Sequence, residues 1–342
     1  MSNILFNTNE LNNDNLTGLG VVSDGLYKNF KRLNFQSCKL KRFKYESNFL
    51  YKFRRITWSQ YFVPKLMKKL GCDLFFSPII EAPISKKINS VVMAHDLIPL
   101  KFPSVIARKI LYKTYIPCVL QKSKLIVSNS NATSNELIKN YNIDPSKIYN
   151  LKLGYDKENI FSSNVTREQF FLILGRHDYH KNIPNILKAI KLVNKRSFKF
   201  VFVGPFHNKL TPLYKRLSFE LGISKSCIWQ KWVNTEQKRA LLNRCKALIM
   251  PSLWEGFGIP ALEAMACGTP VIGSLTGAMP EVLGDLGILV NPSNINEIAD
   301  AIIQVENDLK ITKKMENLGP IRASSFDWSN STKNLEKVIN NL

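Results

Sequence analysis

Short runs of consecutive apolar residues alternate along this chain with longer stretches of helical periodicity. NILFN at 3–7, DLFFS at 73–77, SVVMA at 90–94, KLIVS at 124–128 and KIYNLKL at 147–153 are the runs of the first half. FFLILG at 170–175, FKFVFVG at 198–204, KALIMPS at 246–252, TPVIG at 269–273 and GILV at 287–290 continue the rhythm in the second. A strand with one wet face alternates apolar and polar residues, whereas a strand apolar at successive positions is covered on both faces, as in a parallel sheet flanked by helices. The pattern therefore predicts an α/β fold of two doubly wound, Rossmann-like units. The polar stretch DKENIFSSNVTREQ at 156–169 separates the two sets of runs, so a first domain over 1–160 and a second over 161–322 are expected. Thr133 and Glu136 in NATSNEL fit a capping box at a helix start. Pro260 opens the helix ALEAMA and Gly268 follows its end, supplying both a start and a stop signal.

Composition agrees with two ordinary cores: 342 residues, 45% of them hydrophobic. The N-terminus MSNILFNTNELNND lacks the apolar centre of a secretory signal, and no apolar run reaches the ~18 residues of a spanning helix. A cytoplasmic protein is expected. Cys38, Cys72, Cys118, Cys227, Cys245 and Cys267 are scattered without CxxC or Cys/His pairing, which argues against a disulfide framework or a zinc site.

Charge changes the picture more. The net charge is +22, and residues 1–163 hold 25 Lys+Arg against 11 Asp+Glu, so an anionic partner is expected to meet the first half. In residues 39–71, Phe53, Ile56, Trp58, Phe62, Leu66 and Leu70 are interleaved with Lys52, Arg54, Arg55, Lys65, Lys68 and Lys69. Such a helix suits an anionic membrane surface, and equally a core-packed helix with a solvated basic face. Nucleic acid is disfavoured, because no zinc finger, RNA-binding aromatic motif or recognition-helix signature accompanies the charge.

Two open sheets with facing carboxyl edges make a cleft, where α/β proteins hold ligands. Gly18 and Gly20 follow the first strand and open a helix, as an anion-approaching loop or a plain tight turn would. His95 and Asp96 end the strand SVVMA, at the cleft rim; a buried structural histidine is the alternative. Arg176 and Lys181 leave the first strand of the second half, where two cations suit a diphosphate or form a solvated loop pair. Glu255 sits on the loop after KALIMPS and Glu263 on the helix that follows, with Gly256, Phe257 and Gly258 between them near the helix N-terminus. The three backbone N–H groups can donate to phosphate or sugar oxygens. Two carboxylates repel phosphate and are better acceptors for hydroxyl groups, Glu263 for a ribose and Glu255 for a sugar. A general acid and base, as in glycoside hydrolysis, is the competing use.

The stretch from Pro251 to Ser274 resembles the Glu-x7-Glu signature of retaining glycosyltransferases of family 4. The TGLG segment, the His-Asp pair at a strand end, SNSNATSNEL, the GRxxxxKN loop and GAMPEVLGDLGILV with Gly277 and Glu281 follow in that family's order. The resemblance covers nearly the whole chain and implies the GT-B fold, two Rossmann-like domains facing each other across a cleft. It implies that Arg176 and Lys181 hold a donor diphosphate, Glu263 the ribose, and Glu255 with Gly256, Phe257 and Gly258 the donor sugar, with His95 near the anomeric carbon. Gly18, Gly20, Asp96 and Gly277 complete the expected donor site. Residues 323–342 resemble the family's last helix, which packs back on the first domain. HDYHKN after Arg176 and Asn291, where an aspartate is common, depart from the pattern without touching the donor set.

The implied reaction moves a hexose from a nucleotide diphosphate sugar to a glycan or lipid-linked acceptor, with retention, domain closure and no cofactor or metal; no Asp-x-Asp motif is present. HDLIPLKFP loosely resembles bacterial mannosyl- and rhamnosyltransferases of surface polysaccharide synthesis, which puts GDP-mannose first among donors. Localisation is then cytoplasmic, at the inner membrane face. A nucleotide-sugar epimerase on the same fold is the nearest rival. A nicotinamide oxidoreductase needs a third glycine where Ser23 stands. A basic nucleic-acid-binding protein would leave the two glutamates without a role.

Overall fold

The computed structural model describes residues 3–11, 18–31, 33–43, 46–102, 106–193 and 197–342. The chain divides into two compact units, Met1–Gly154 with Asp327–Leu342, and Tyr155–Phe326.

The first unit runs β1 Asn3–Asn7, α1 Gly18–Asn29, β2 Asn34–Cys38, α2 Asn48–Leu70, β3 Leu74–Ser77 and β4 Asn89–Ala94. It continues through α3 Ile98–Lys101, α4 Ile106–Lys122, β5 Leu125–Ser128, α5 Asn131–Tyr141 and β6 Ile148–Asn150. Its six strands lie in the order β2-β1-β3-β4-β5-β6, every pair parallel. The second unit runs β7 Phe170–Leu174, α6 Ile183–Val193, β8 Lys199–Val203, α7 Leu210–Glu220, β9 Cys227–Gln230, α8 Thr235–Arg244 and β10 Leu248–Met250. It then adds α9 Ile259–Ala266, β11 Val271–Ser274, α10 Met279–Leu283, β12 Ile288–Val290, α11 Ile295–Asn307 and α12 Leu309–Ser324. Its order is β12-β11-β10-β7-β8-β9, again all parallel. The last helix, α13 Trp328–Asn340, belongs to the first unit.

Every apolar run of the sequence contains a strand: β3, β5, β10 and β11 are buried at every position, whereas the edge strand β6 is only partly covered. Among the described residues their side chains contribute to buried clusters, one around Phe75, Val92 and Ile126 and another around Phe171, Phe200 and Ile249. Two strands go beyond the sequence reading. Both β2 (NFQSC) and β9 (CIWQ) lie at sheet edges and are largely uncovered, so they lack the continuous apolar signal. The capping box is also misplaced by one turn. Ser130, not Thr133, is the N-cap of α5, accepting from the Thr133 amide. Thr133 is buried and donates to the His95 carbonyl, while Glu136 pairs with Lys101 at 2.6 Å.

The strand orders locate candidate ligand sites. In the second unit the chain winds from β7 outward through β8 and β9, then returns to place β10 on the other side of β7. Helices after β7 and β10 therefore leave opposite faces, and the loops at the two carboxyl ends part to form a crevice, the topological switch point of a doubly wound sheet. In the first unit the corresponding reversal lies between β1 and β3.

Among the described residues no helix is long and apolar enough to cross a membrane. All six cysteines are free, four of them buried. On α2 the interleaved apolar residues split: Trp58, Leu66 and Leu70 pack on the core, whereas Phe53 and Phe62 stay exposed together with Leu50 and Tyr61. Lys65, Lys68 and Lys69 are exposed beside them. The helix thus has one core face and one aromatic and basic face.

Candidate active site

The loop after β7 is shaped by three residues whose backbone departs from the ordinary L region or sits close to another chain segment. Gly175 has φ +139°, and an added Cβ would meet Lys181 Cε at 3.1 Å. Gly204, at the end of β8, has φ +151°, and its Cβ would fall 2.0 Å from the Gly175 carbonyl oxygen. Only glycine fits at that close approach. Asn182 closes the loop in the left-handed region at φ 59°. Its buried amide donates to the carbonyls of Pro251 at 3.0 Å and Pro292 at 2.6 Å. The β7 loop is thereby tied to the ends of β10 and β12. The Leu253 amide adds a bond to the His180 carbonyl at 2.8 Å.

These ties deliver Lys181 to Glu255. The ammonium donates to Glu255 Oε1 at 2.5 Å, and the Ser252 hydroxyl donates to the same oxygen at 2.6 Å. Both side chains of the ion pair are largely buried. Burial alone would raise the Glu255 carboxyl. The charge of Lys181, the ring of His180 and the hydrogen bonds from Lys181 and Ser252 outweigh it and hold the group below the usual carboxylate range. Glu255 is therefore an ionised acceptor with a fixed orientation. Arg176 stands apart from this cluster, half-exposed and only loosely paired with Asp178 at 3.9 Å. His177, the next residue, faces inward. Its ring stacks on Phe206, meets Trp229 edge-on and shares a 3.1 Å hydrogen bond with Thr211.

Gly258 opens α9 with φ +104°, and Pro260 lies in the first turn, where no intrahelical N–H is needed. A Cβ at Gly258 would meet Met279 Sδ at 2.8 Å. Gly256 and Phe257 are buried, and the Phe257 ring packs edge-on against Phe326, so only the backbone of this triplet can serve a ligand. Gly277, with φ +64°, lies against the main chain of Glu255, and the next amide, that of Ala278, donates to the Glu255 carbonyl at 3.0 Å. Glu263 is buried on α9 and receives Lys238 of α8 at 2.5 Å on Oε1. Lys181, Glu255 and Gly277 are thus in direct contact, while Glu263 has a lysine of its own.

The other expected residues lie in the first unit. Gly18 is the exposed first residue of α1; Gly20 is buried within its first turn. Both glycines thus stand in the first turn of the helix that follows β1, with Gly18 the exposed one of the two. Residues 12–17, which include most of the preceding loop, lie outside the described residues. His95 follows β4, half-buried, with Nε2 at 2.6 Å from the Pro78 carbonyl. A carbonyl only accepts, so Nε2 carries the proton and Nδ1 presents a lone pair. Burial lowers the His95 pKa against the opposing pull of the Pro78 bond and the Glu10 charge, which favours the neutral ring. The Asp96 carboxylate accepts from the Ile98 amide at 2.9 Å and so turns the chain into α3.

Several residues escaped the sequence reading. Ser252 and Lys238 bond Glu255 and Glu263, and Asn182, the last residue of the GRxxxxKN loop, ties that loop to Pro251 and Pro292; of these Ser252, three residues before Glu255, had a local signal. In the first unit Arg55 is buried between Glu10 at 2.6 Å and Glu81 at 2.8 Å, a network joining α2 to the loops after β1 and β3.

Comparison with known proteins agrees with this fold. Superposition on solved structures extends along the whole chain. Sucrose-phosphate synthase from Thermosynechococcus elongatus matches with a TM-score of 0.82 at 15% identity, over 100% of this chain and 99% of that one. Anabaena Alr3699/HepE in complex with UDP-glucose matches with 0.78 at 15% identity, over 100% of both. The fold is GT-B, two Rossmann-like parallel-sheet units. Residues 156–321 match the family model of glycosyl transferases group 1. The O-antigen chain mannosyltransferase RfbU of Salmonella typhimurium is 28% identical over 229 residues, 64% of this chain and 64% of its own length. The matched segment thus spans just under two thirds of that relative. The second unit of the chain thus carries a glycosyl transferases group 1 domain.

Proposed function

We propose that this glycosyltransferase moves a hexose, mannose first among candidates, from a nucleotide diphosphate sugar to a glycan or lipid-linked acceptor of a surface polysaccharide, with retention at the anomeric carbon and without a metal. The observation that carries the reading is the Lys181–Glu255 pair at the β7/β10 switch point, 2.5 Å long and largely buried. A cation and an ionised acceptor held together there suit a ligand that has both a diphosphate and a hydroxyl-rich ring. The similarity to RfbU, an O-antigen chain mannosyltransferase, supports the choice of mannose and of a polysaccharide product.

In this reading Lys181 and Arg176 stabilise negative charge on the departing diphosphate. Glu255, with the backbone of Gly256, Phe257 and Gly258, orients the sugar, and Glu263 accepts from the ribose. His95 offers Nδ1 to a sugar hydroxyl, and Gly18, Gly20, Asp96 and Gly277 shape the surrounding backbone. The bond from the anomeric carbon to the phosphate oxygen breaks, and the acceptor oxygen bonds to the same face of that carbon. Its proton passes to the leaving phosphate, so no protein base is consumed. The aromatic and basic face of α2 suits an anionic membrane surface bearing a lipid-linked acceptor.

The test is a screen of GDP-, UDP- and dTDP-sugars by thermal stabilisation, followed by transfer assays with and without EDTA and NMR of the product linkage. A donor that binds the native state raises the melting temperature by mass action. The reading predicts stabilisation by one nucleotide class, an anomeric configuration equal to the donor's, and turnover that survives EDTA. An inverted product would reject retention, and release of an epimerised donor without added acceptor would favour the epimerase.

A further inference from the structure

The two glutamates are built alike. Glu255 receives both of its hydrogen bonds on Oε1, from Lys181 and Ser252, and Glu263 receives Lys238 on Oε1. Among the described residues neither Oε2 has a partner. Glu263 is 4% exposed and sits in the interior of α9. The Lys238 ammonium is the cation that reaches this buried carboxylate, and its own side chain is largely buried with it. The position of Lys238 is itself fixed. It follows Gln237, the third residue of a capping box with Asn234, and its own amide makes the first intrahelical bond of α8, to the Asn234 carbonyl at 2.9 Å. The ammonium therefore comes from a rigid turn and engages one carboxylate oxygen, which leaves the other with its lone pairs free and its direction set.

We propose that Lys238 is a positioning residue for nucleotide recognition: by holding Glu263 Oε1 it aims Oε2 at a ribose hydroxyl and so makes the enzyme discriminate ribonucleotide from deoxyribonucleotide donors. The inference rests on the reading that Glu263 accepts from the ribose. A hydroxyl that donates to Oε2 is missing from a deoxy analogue, so the discrimination reports on that bond. A purely structural pairing of α8 with α9 would instead affect both forms equally.

The experiment is calorimetric titration of the full chain, wild type, E263Q, K238M and K238Q, with GDP, UDP and their 2′-deoxy and 3′-deoxy analogues. The wild type is expected to bind one ribonucleotide roughly tenfold or more tighter than a deoxy analogue. E263Q and K238M should each lose most of that ratio, with K238M changing its affinity for the deoxy analogue by less than about twofold. K238Q, which keeps a donor without the charge, should fall between wild type and K238M. A wild-type ratio in both Lys238 variants, or equal weakening of ribo and deoxy forms, overturns the proposal. An E263Q protein that keeps the wild-type ratio overturns the ribose reading beneath it, and the two failures are distinguished by which variant retains discrimination.

Discussion

The α-carbon of Gly277 presses against Glu255 so closely that a methyl group built on it would lie 2.4 Å from the Glu255 carbonyl oxygen and 2.9 Å from its amide nitrogen. Its φ of +64° adds a second reason for glycine. G277A must move the Glu255 backbone, and with it the carboxylate that Lys181 holds. We expect a destabilisation of about 1–3 kcal/mol and a large loss of transfer. Denaturant unfolding and a transfer assay would check this; a variant with wild-type values in both would show that the contact does not set the position of Glu255.

Arg176 and Lys181 should separate on stability while agreeing on activity. Arg176 is half-exposed with a loose partner, so R176A is expected to leave the melting temperature unchanged and to lower turnover at least about a hundredfold. K181A strands a buried carboxylate and should cost roughly 3–5 kcal/mol as well as activity. Near-normal turnover in R176A would remove it from the diphosphate site.

His177 makes the fold sensitive to acid. Burial first, then the charge of Lys215, pushes its pKa from the ordinary 6.5 down to about 4, with Asp178 pulling the other way. The unfolded chain therefore takes up this proton before the native one does. Its contribution to stability is present in full above about 6.5 and is lost as pH falls toward about 4, on the order of 3 kcal/mol in all. H177F keeps a ring against Phe206 and Trp229 and removes the titration. Unfolding free energies measured between about pH 7 and pH 4.5 should fall less steeply for H177F than for wild type; parallel slopes would contradict the assignment.

Trp328 anchors α13 to the first unit through two glycines. A Cβ on Gly25 would lie 2.4 Å from its ring, and one on Gly154 would lie 2.5 Å from its amide nitrogen. W328A should cost about 3–5 kcal/mol, and G25A should be destabilising although alanine is the better helix former. A chemical denaturation series would show it, and a stabilised G25A would mean that the ring moves aside at little cost.

The outer face of α2 gives a binding prediction. Phe53, Tyr61 and Phe62 are 58–70% exposed, and Lys65, Lys68 and Lys69 follow on the same helix. Co-sedimentation with phosphatidylglycerol vesicles should exceed that with phosphatidylcholine, weaken with salt, and drop in both F53S/Y61S and K65E/K68E/K69E. Equal binding of all variants would assign the face to another role.

Much of the fold was legible because a parallel strand covered on both faces announces itself by continuous apolar residues, as FFLIL and LFFS do. The edge strands β2 and β9 were not, since NFQSC and CIWQ each leave residues uncovered and carry no such run. The helix α9 was readable from Pro260 and Gly268 because both act on the local backbone. The start of α5 was misplaced because NSNATSNEL offers several capping residues in succession, and only packing chooses Ser130.

By itself the sequence determined the two-unit parallel architecture, the acidic pair and the two cations after β7, since these depend on composition and short spacing. The tertiary structure alone decided which charge meets which. Lys181 finds Glu255 across 74 residues and Lys238 finds Glu263 across 25. The first pairing follows from a sheet order that sets β10 beside β7, the second from the packing of α8 on α9. Neither has a local pattern, because such contacts are made by separate segments that become neighbours only when the apolar faces between them are buried.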